Sequence, residues 1–356
     1  MRVLFIAESL DLPESHMIRG ISKAGIEVEL MINEDSQHLD TLAGDNIPIH
    51  AFALKRRIDR DGIRAIRYLL ESRSFDIVHC LKNRPLSNAL IASRGMHVKK
   101  VAYRGIEGNV NRFNPASWLT YLNPGIDRIV CVCEAIRRKF IEMRVPESRL
   151  STIYKGHDIS WYQSFKRADL GEFGIPQEAL VAGGAANMRP RKGTQVLIRA
   201  AEHVTAGKPV HYLLAGKLND GNINLKEVSD ATADRIHFIG FRDDASRIMG
   251  ACDVFVLPSL RREGLPKGVI EAMAQRVPAV VTDSGGSPEL VRHEKDGMVV
   301  PPDDVNAMAD AITYTLADEQ RRRRMGESAQ RRIQKDFHID ETISQHLDMY
   351  KDLVAK

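Results

Sequence analysis

DVFVLPSLRREGLPKGVIEA, residues 253–272, passes from a β pattern to a helical one inside a single short stretch. Asp253 to Pro258 is an apolar run rich in β-branched and aromatic residues, and such an unbroken run marks a strand covered on both faces. From Lys267 to Gln275 the apolar spacing is helical, and Pro266 fits the first helical turn, where a missing N–H costs nothing. A buried strand that leads through a loop into a helix is the repeating unit of a parallel α/β sheet.

The same alternation extends in both directions. In the first half, strands are expected at Val3–Ala7, Ile26–Ile32, Ile47–Phe52, Asp76–Cys80, Lys100–Tyr103, Asp127–Cys133 and Leu150–Tyr154. Helical patterns fall between them at Met17–Ala24, Gly62–Ser72, Ser87–Ser93 and Glu134–Met143. The pattern weakens across Trp161–Gln177 and restarts with strands at Leu180–Gly184, Val210–Ala215, Arg235–Gly240, Asp253–Pro258, Ala279–Asp283 and Gly297–Val300. A chain of 356 residues exceeds what one hydrophobic core usually supports. Two Rossmann-like domains are therefore expected, residues 1–165 and 166–335, with a last helix at 336–356 that carries Ile343, Leu347, Tyr350 and Val354 on one stripe. In such sheets ligands lie at the carboxyl ends of the strands.

Composition excludes several classes. With 43% hydrophobic and 28% charged residues the chain is an ordinary globular one, and its longest apolar runs are strand-sized, too short to span a membrane as a helix. The opening run reads as a strand, not a signal peptide, so a cytoplasmic protein is expected. Cys80, Cys131, Cys133 and Cys252 lie in apolar runs without C-x-x-C spacing and are expected to be buried thiols. Residues 1–165 hold 24 Lys and Arg against 19 Asp and Glu, and the remainder 27 against 28, so the positive excess sits in the first half. Lys55–Arg73 forms a basic amphipathic segment that could meet an anionic membrane surface or cover its own sheet. The run Arg321–Arg324 has no interleaved aromatics; it reads as a solvated helix face, and no nucleic-acid partner is expected.

Three strand-to-helix turns carry chemistry. In the first, Arg189, Arg191 and Lys192 precede Gly193; in the second, Glu263 and Glu271 bracket Gly264, Leu265 and Pro266; in the third, Gly285 and Gly286 precede Pro288 and Glu289. Cations and free amides at helix starts suit phosphate, and carboxylates suit sugar hydroxyls. Alone, Glu263 and Glu271 would pass as a loop charge and a solvated helix charge. Together the three turns supply the parts needed to hold a nucleotide diphosphate sugar.

The E-x7-E of Glu263 and Glu271, the basic turn Arg191-Lys192-Gly193 and the G-G-x-P-E turn Gly285–Glu289 resemble retaining glycosyltransferase family 4. The resemblance implies the GT-B fold: two Rossmann-like domains facing a central cleft, with a C-terminal helix crossing back onto the first. It also implies Glu263 at the donor sugar, Glu271 at the ribose, and Lys192 with Arg189 or Arg191 at the leaving diphosphate. Gly264, Leu265 and Pro266 are similar to the backbone that meets sugar and phosphates, Gly285 and Gly286 to the glycine turn, and Phe241 and Arg242 to the nucleobase site. Gly156-His157-Asp158 matches a Gly-x-Asp near the hinge, while His16, His79 and Arg104 are candidates on the acceptor side, with Asp158. Ala186 stands where the family usually has arginine, and Ser9–His16 replaces its glycine-rich first turn.

The function implied is hexosyl transfer with retention, to a glycan or lipid-linked acceptor of envelope, exopolysaccharide or lipopolysaccharide synthesis. No cofactor is expected beyond the nucleotide sugar co-substrate. A metal is not required, because cations and a helix terminus can meet the phosphate charge. A sugar nucleotide epimerase, or a degenerate sugar-nucleotide binding module, remains an alternative. A dehydrogenase is disfavoured by the absence of G-x-G-x-x-G after the first strand.

Overall fold

The structure is a computed structural model describing residues 1–163, 166–218 and 223–355. Contacts divide the chain into two compact units, Met1–Gly156 with Ile339–Lys356, and His157–His338. The break expected between residues 165 and 166 falls beside Ser164 and Phe165, which lie outside the described residues. Among the described residues no helix is long and apolar enough to cross a membrane.

The first unit holds β1 (Arg2–Ile6), β2 (Glu27–Ile32), β3 (Ile49–Ala51), β4 (Ile77–Cys80), β5 (Lys99–Arg104), β6 (Arg128–Cys131) and β7 (Leu150–Thr152). They form one parallel sheet in the order β3-β2-β1-β4-β5-β6-β7. The second unit holds β8 (Leu180–Ala185), β9 (Val210–Ala215), β10 (Ile236–Gly240), β11 (Val254–Leu257), β12 (Ala279–Thr282) and β13 (Gly297–Val300). Its parallel order is β10-β9-β8-β11-β12-β13. These strands differ from the expected ones by no more than two residues at either end. The central ones are fully buried, as Val3 to Ile6 and Val254 to Leu257 illustrate, which is why they read as unbroken apolar runs. Each sheet reverses its strand order once, between β1 and β4 and between β8 and β11, and a crevice opens at the carboxyl ends beside such a reversal. The four cysteines are buried and form no disulfide.

Three local readings are corrected by tertiary contacts. The first helix runs from Leu12 to Lys23, starting five residues before Met17, so Ser9–His16 is only partly a turn. Asp11 caps it: its carboxylate accepts from Glu14 N at 3.1 Å, and the Glu14 carboxylate accepts from Asp11 N at 3.1 Å. Lys155, three residues beyond β7, donates to Glu14 at 3.0 Å and to Asp11. The arginine run is not a bare solvated face either. Arg322 pairs with Asp253 at 3.3 Å, and Arg321 lies 3.8 Å over the Tyr314 ring.

The third correction concerns which face is buried in the helix Ile339–Val354, a helix that packs in the first unit. It crosses the Leu12–Lys23 helix at Gly20, where an added Cβ would come within 2.1 Å of Ile343 Cδ1. Its buried face is Ile339, Thr342, His346, Met349, Tyr350 and Leu353, while Val354 of the expected stripe is 43% exposed. The apolar pattern missed this face because a histidine sits at its centre. The Thr342 hydroxyl donates to Tyr154 O at 2.8 Å and accepts from Gly156 N at 2.9 Å.

Beneath that helix the His79 and His346 rings stack 5.6 Å apart, and His79 Nδ1 meets Tyr350 Oη at 2.6 Å. Nε2 of both rings is buried without a hydrogen-bond partner among the described residues. Burial drives the His346 imidazole down to about 4; burial and the neighbouring His346 drive His79 well below the usual histidine range. Both are neutral in the folded chain, whereas the unfolded chain binds their protons below about pH 6.5. Stability is therefore level above that pH and falls below it, by about 1.4 kcal/mol per pH unit for each histidine once the unfolded state is protonated. Thermal unfolding followed from pH 8 to pH 5 should show this fall, and His346→Leu should flatten it; equal slopes in the two proteins would disprove the assignment.

Candidate active site

The chemistry-bearing turns of the second unit lie at one edge of its sheet, joined by backbone contacts. After β9 and β10, Gly216 N donates to Gly240 O at 2.7 Å. After β8, Ala186 N donates to Ala215 O at 3.0 Å and Met188 N to Lys217 O at 3.0 Å. After β11, Leu260 N donates to Arg191 O at 2.8 Å, and after β12, Gly286 N donates to Gly264 O at 3.0 Å. The parallel strand order dictates these neighbours, because β8 and β11 are adjacent at the reversal and β12 follows.

Two glycines are needed for the turns to approach this closely. Gly193 has φ +67°, and a Cβ there would lie 1.9 Å from Pro258 O. Gly285 has φ +57°, and its Cβ would lie 2.2 Å from Glu263 O. Any other residue would face both the left-handed backbone and a clash with a carbonyl.

Glu263 is the focus. Arg262, just before it, takes a left-handed φ of +65°, a conformation that non-glycine residues seldom adopt and that is found at functional turns. Glu263 itself is 5% exposed. Its Oε1 accepts from Lys192 Nζ at 2.6 Å and from the buried Ser259 hydroxyl at 2.5 Å, with Arg191 4.0 Å away. Ser259 is held by Thr282, whose hydroxyl donates to its carbonyl. A buried carboxylate needs such partners, since an unpaired one would neutralise or unfold its surroundings.

The expected residues occupy distinct places. Lys192 and Arg191 end a short 3₁₀ turn, Pro190–Lys192, and both reach Glu263; Arg189 caps that turn and is exposed to solvent. Gly264, Leu265 and Pro266 are buried under the start of the helix Lys267–Ala274. Pro266 is the N-cap of that helix, not part of its first turn, because its ψ of 111° is extended. Proline at the N-cap makes no side-chain hydrogen bond to this terminus, whose first amides suit an anionic ligand. Glu271 sits inside the helix, its carboxylate 3.2 Å from Lys267 Nζ. Phe241 is 63% exposed with Lys217 Nζ 5.8 Å from its ring centroid. Arg242 is bound to Asp244 at 2.8 and 3.0 Å, and with Arg247 it holds that carboxyl down to about 2. Ser259, Ser284 and Ser287 were not expected; the Ser284 and Ser287 hydroxyls are buried at the glycine turn without a partner among the described residues. Only the four-residue step from Ser259 to Glu263 could have hinted at the first.

The first-unit candidates are scattered. His79 has no exposed surface and belongs to the core described above, so it cannot face an acceptor. His16 lies half-buried on the Leu12–Lys23 helix. Arg104, at the end of β5, is buried, donates to Glu107 O at 2.9 Å and covers the Tyr121 ring at 4.5 Å. Asp158 belongs to the second unit, where it accepts from Ser160 N at 2.7 Å and lies 3.9 Å from His338.

Two family models match the chain. The model for glycosyltransferase family 4 takes in residues 15–161, and that for glycosyl transferases group 1 takes in residues 178–318. The chain belongs to glycosyltransferase family 4. It is 26% identical over 230 residues to N-acetyl-alpha-D-glucosaminyl L-malate synthase of Bacillus anthracis, covering 64% of this chain and 60% of that protein. It is 25% identical over 238 residues to UDP-Gal:alpha-D-GlcNAc-diphosphoundecaprenol alpha-1,3-galactosyltransferase of Escherichia coli, covering 64% of this chain and 61% of that protein. The matches thus span about three-fifths of those relatives' lengths. The fold is similar to that of Anabaena Alr3699/HepE, solved in complex with UDP, with a TM-score of 0.80 at 20% identity over 99% of this chain and 100% of that one. The GT-B architecture of the family is thereby shown.

As a family 4 chain it carries alanine at 186, and Arg191 stands beside the Lys192–Glu263 pair instead. Its first turn holds the Asp11, Glu14 and Lys155 cluster in place of glycines, and the two carboxylates make that turn a poor place for phosphate. Removing Lys192 strands the Glu263 charge. Lys192→Met should destabilise the chain by about 3 kcal/mol, and Lys192→Met with Glu263→Gln should recover most of that in chemical denaturation. If the double variant is as unstable as the sum of the two single ones, the pair is not coupled.

Proposed function

We propose that the chain is a retaining glycosyltransferase that moves a sugar from a nucleotide diphosphate sugar to a hydroxyl of a glycan or lipid-linked glycan. The observation that carries the reading is the Glu263 carboxylate, buried between Lys192 and Ser259 at the strand-order reversal. In this reading the diphosphate takes the place beside Lys192, Arg191 and the first amides of the helix at Lys267, with Arg189 free to close over it. Lys192 then serves two anions. As the diphosphate draws on its ammonium, Glu263 turns its lone pairs to the sugar hydroxyls, so donor binding and sugar positioning are linked. Glu271 would take the ribose, and Phe241 with Lys217 would offer a face to the base.

As the bond from the anomeric carbon to the diphosphate breaks, its electron pair goes to the phosphate oxygen, the acceptor hydroxyl oxygen bonds to that carbon, and the hydroxyl proton passes to the departing diphosphate. Lys192 and Arg191 meet that charge, and preorganised cations in a dry site are worth far more than in water. We take this to suffice without a metal ion. The Escherichia coli relative is a galactosyltransferase named for a GlcNAc-diphosphoundecaprenol acceptor, which supports a lipid-linked acceptor here and a place in envelope polysaccharide synthesis.

The test has two arms. A panel of UDP-, GDP- and other nucleotide sugars should contain one that raises the melting temperature through binding to the folded state. With that donor, Glu263→Gln should lower turnover by about 100-fold and change donor affinity little. A panel in which nothing raises the melting temperature, or full turnover by Glu263→Gln, would sink the proposal. Conversion of the donor with no acceptor present would favour an epimerase instead.

A further inference from the structure

Much of the first unit's positive charge is met by its own acids. Arg64 pairs with Asp61 at 2.7 Å, Arg67 with Glu71 at 2.8 Å and Arg73 with Glu29 at 2.8 Å. Beyond β7, Lys155 is held by Glu14 and Asp11. Two cations at the carboxyl edge of the sheet are of another kind. Among the described residues no acid pairs with Lys82 or Arg104, although Arg104 is only 5% exposed.

Arg104 is the last residue of β5, and its guanidinium has five N–H donors to place. Nη2 donates to Glu107 O at 2.9 Å, and Nη1 lies 3.4 Å from the side-chain oxygen of Asn83. Nε is buried without a partner among the described residues. The Tyr121 ring, 4.5 Å from the guanidinium carbon, shields the cation from water and attracts it, yet carries no counter-charge. A cation taken out of water is costly unless an anion meets it, so buried charges are ordinarily paired. Arg104 is a buried charge for which the described residues provide no such anion.

The residue it reaches, Asn83, begins the helix Asn83–Ala92. That helix follows β4, which lies between β1 and β5 in the sheet, and β1 and β4 are the pair at which the strand order reverses. Such a reversal is where a parallel sheet takes its ligand. Lys82 is the N-cap residue of the helix; its side chain makes no capping hydrogen bond, and no acid stands in the first turn. Lys82 Nζ instead bridges the two strand ends, donating to Ser9 O at 3.0 Å and Ser9 Oγ at 2.6 Å. Pro85 lacks an N–H, and Leu86 N donates to Lys82 O at 3.1 Å, so Asn83 and Arg84 hold the first-turn amides outside the helix ladder. A helix start with those amides, an ammonium and a buried guanidinium suits an anion.

We propose that the start of the helix Asn83–Ala92, with Lys82 and Arg104, is a phosphate site of the first unit, and that it takes a phosphate ester carried by the acceptor. A phosphate ester brings up to two charges and three acceptor oxygens, which matches a guanidinium fork, an ammonium and helix amides better than the two oxygens of a carboxylate do. The donor diphosphate is already provided for at Lys192 and Arg191 in the second unit, so the first unit's site falls to the acceptor. The neighbouring turn after β1 cannot share this role, because Asp11 and Glu14 would repel the same anion. The proposal rests on the transferase reading for the word acceptor alone; the phosphate site itself stands on the first unit's geometry.

The test uses the full chain carrying Lys192→Met and Glu263→Gln, so that the second unit's cation pair does not dominate. Inorganic pyrophosphate should still bind in calorimetry and raise the melting temperature. Adding Lys82→Met should weaken that binding by about tenfold, as loss of one charged hydrogen-bond donor implies. With Arg104→Met the melting temperature should cease to respond to pyrophosphate, an effect that loss of a merely structural arginine would not produce; should that variant fail to fold, the half-buried Lys82 decides alone. Tighter binding of octyl diphosphate than of glucose 1-phosphate assigns the phosphate to a lipid carrier, and the reverse to a soluble sugar phosphate; either order upholds the site. No pyrophosphate binding, binding that both substitutions leave unchanged, or malonate bound as tightly as pyrophosphate overturns it. In transfer assays with the second unit unaltered, Lys82→Met should raise the acceptor KM by about tenfold and leave the donor KM within about twofold; a raised donor KM in its place overturns the acceptor assignment. The pyrophosphate experiments need no nucleotide sugar, so their failure and a failure of the transferase reading are separate results.

Discussion

A buried carboxylate must be satisfied, and the second unit is organised around satisfying the one at Glu263. Its partners come from different strand ends: Lys192 from the turn after β8, Ser259 from the turn after β11, and Thr282 of β12 behind Ser259. None is near Glu263 in sequence except Ser259. They meet because a parallel sheet that reverses its strand order at β8 and β11 sets those two turns side by side. Gly193 and Gly285 then let the turns touch, each standing where a Cβ would strike a carbonyl. The arrangement concentrates cations, helix-start amides and one oriented carboxylate on one side of the sheet, which is the chemistry a diphosphate sugar asks for.

The first unit solves a different problem with similar means. The turn after β1 is occupied by Asp11, Glu14 and Lys155, which fix the start of the first helix and the chain just beyond β7. Close by in sequence, Gly156 is fastened to Thr342 of the terminal helix. That helix is seated on Gly20 and over the neutral pair His79 and His346. Polar groups that might have marked a ligand site are instead part of how the last helix is held, and the cost of two buried imidazoles appears as a sensitivity to acid.

Much of this was legible in the chain. Strand positions could be read because parallel strands buried on both faces must be apolar throughout, and each of the thirteen named strands was located to within two residues. The three ligand turns were legible through glycine, proline and charge at strand ends. Helix starts were harder. The helix from Leu12 looked like a turn because Leu-Pro-Glu-Ser carries turn residues, and only the Asp11 and Glu14 cap makes it helical. His79 stood both as an acceptor-side candidate and as a satisfied strand-end histidine, because nothing local reveals Tyr350 and His346, more than 260 residues away in the chain, packed against it. The basic segment Lys55–Arg73 left membrane contact and sheet cover both open, because a pair such as Arg73 with Glu29 joins separate elements.

Local sequence determined the two parallel sheets, the glycine-bearing turns and the identity of the groups at them, since strand burial and turn conformation are set by residues within a few positions. Tertiary structure decided which groups meet. It set Arg191 rather than Arg189 near Glu263, placed Ser259 under that carboxylate and withdrew His79 into the core. Those outcomes depend on distances between residues far apart along the chain, and only the packing of strands and helices fixes them.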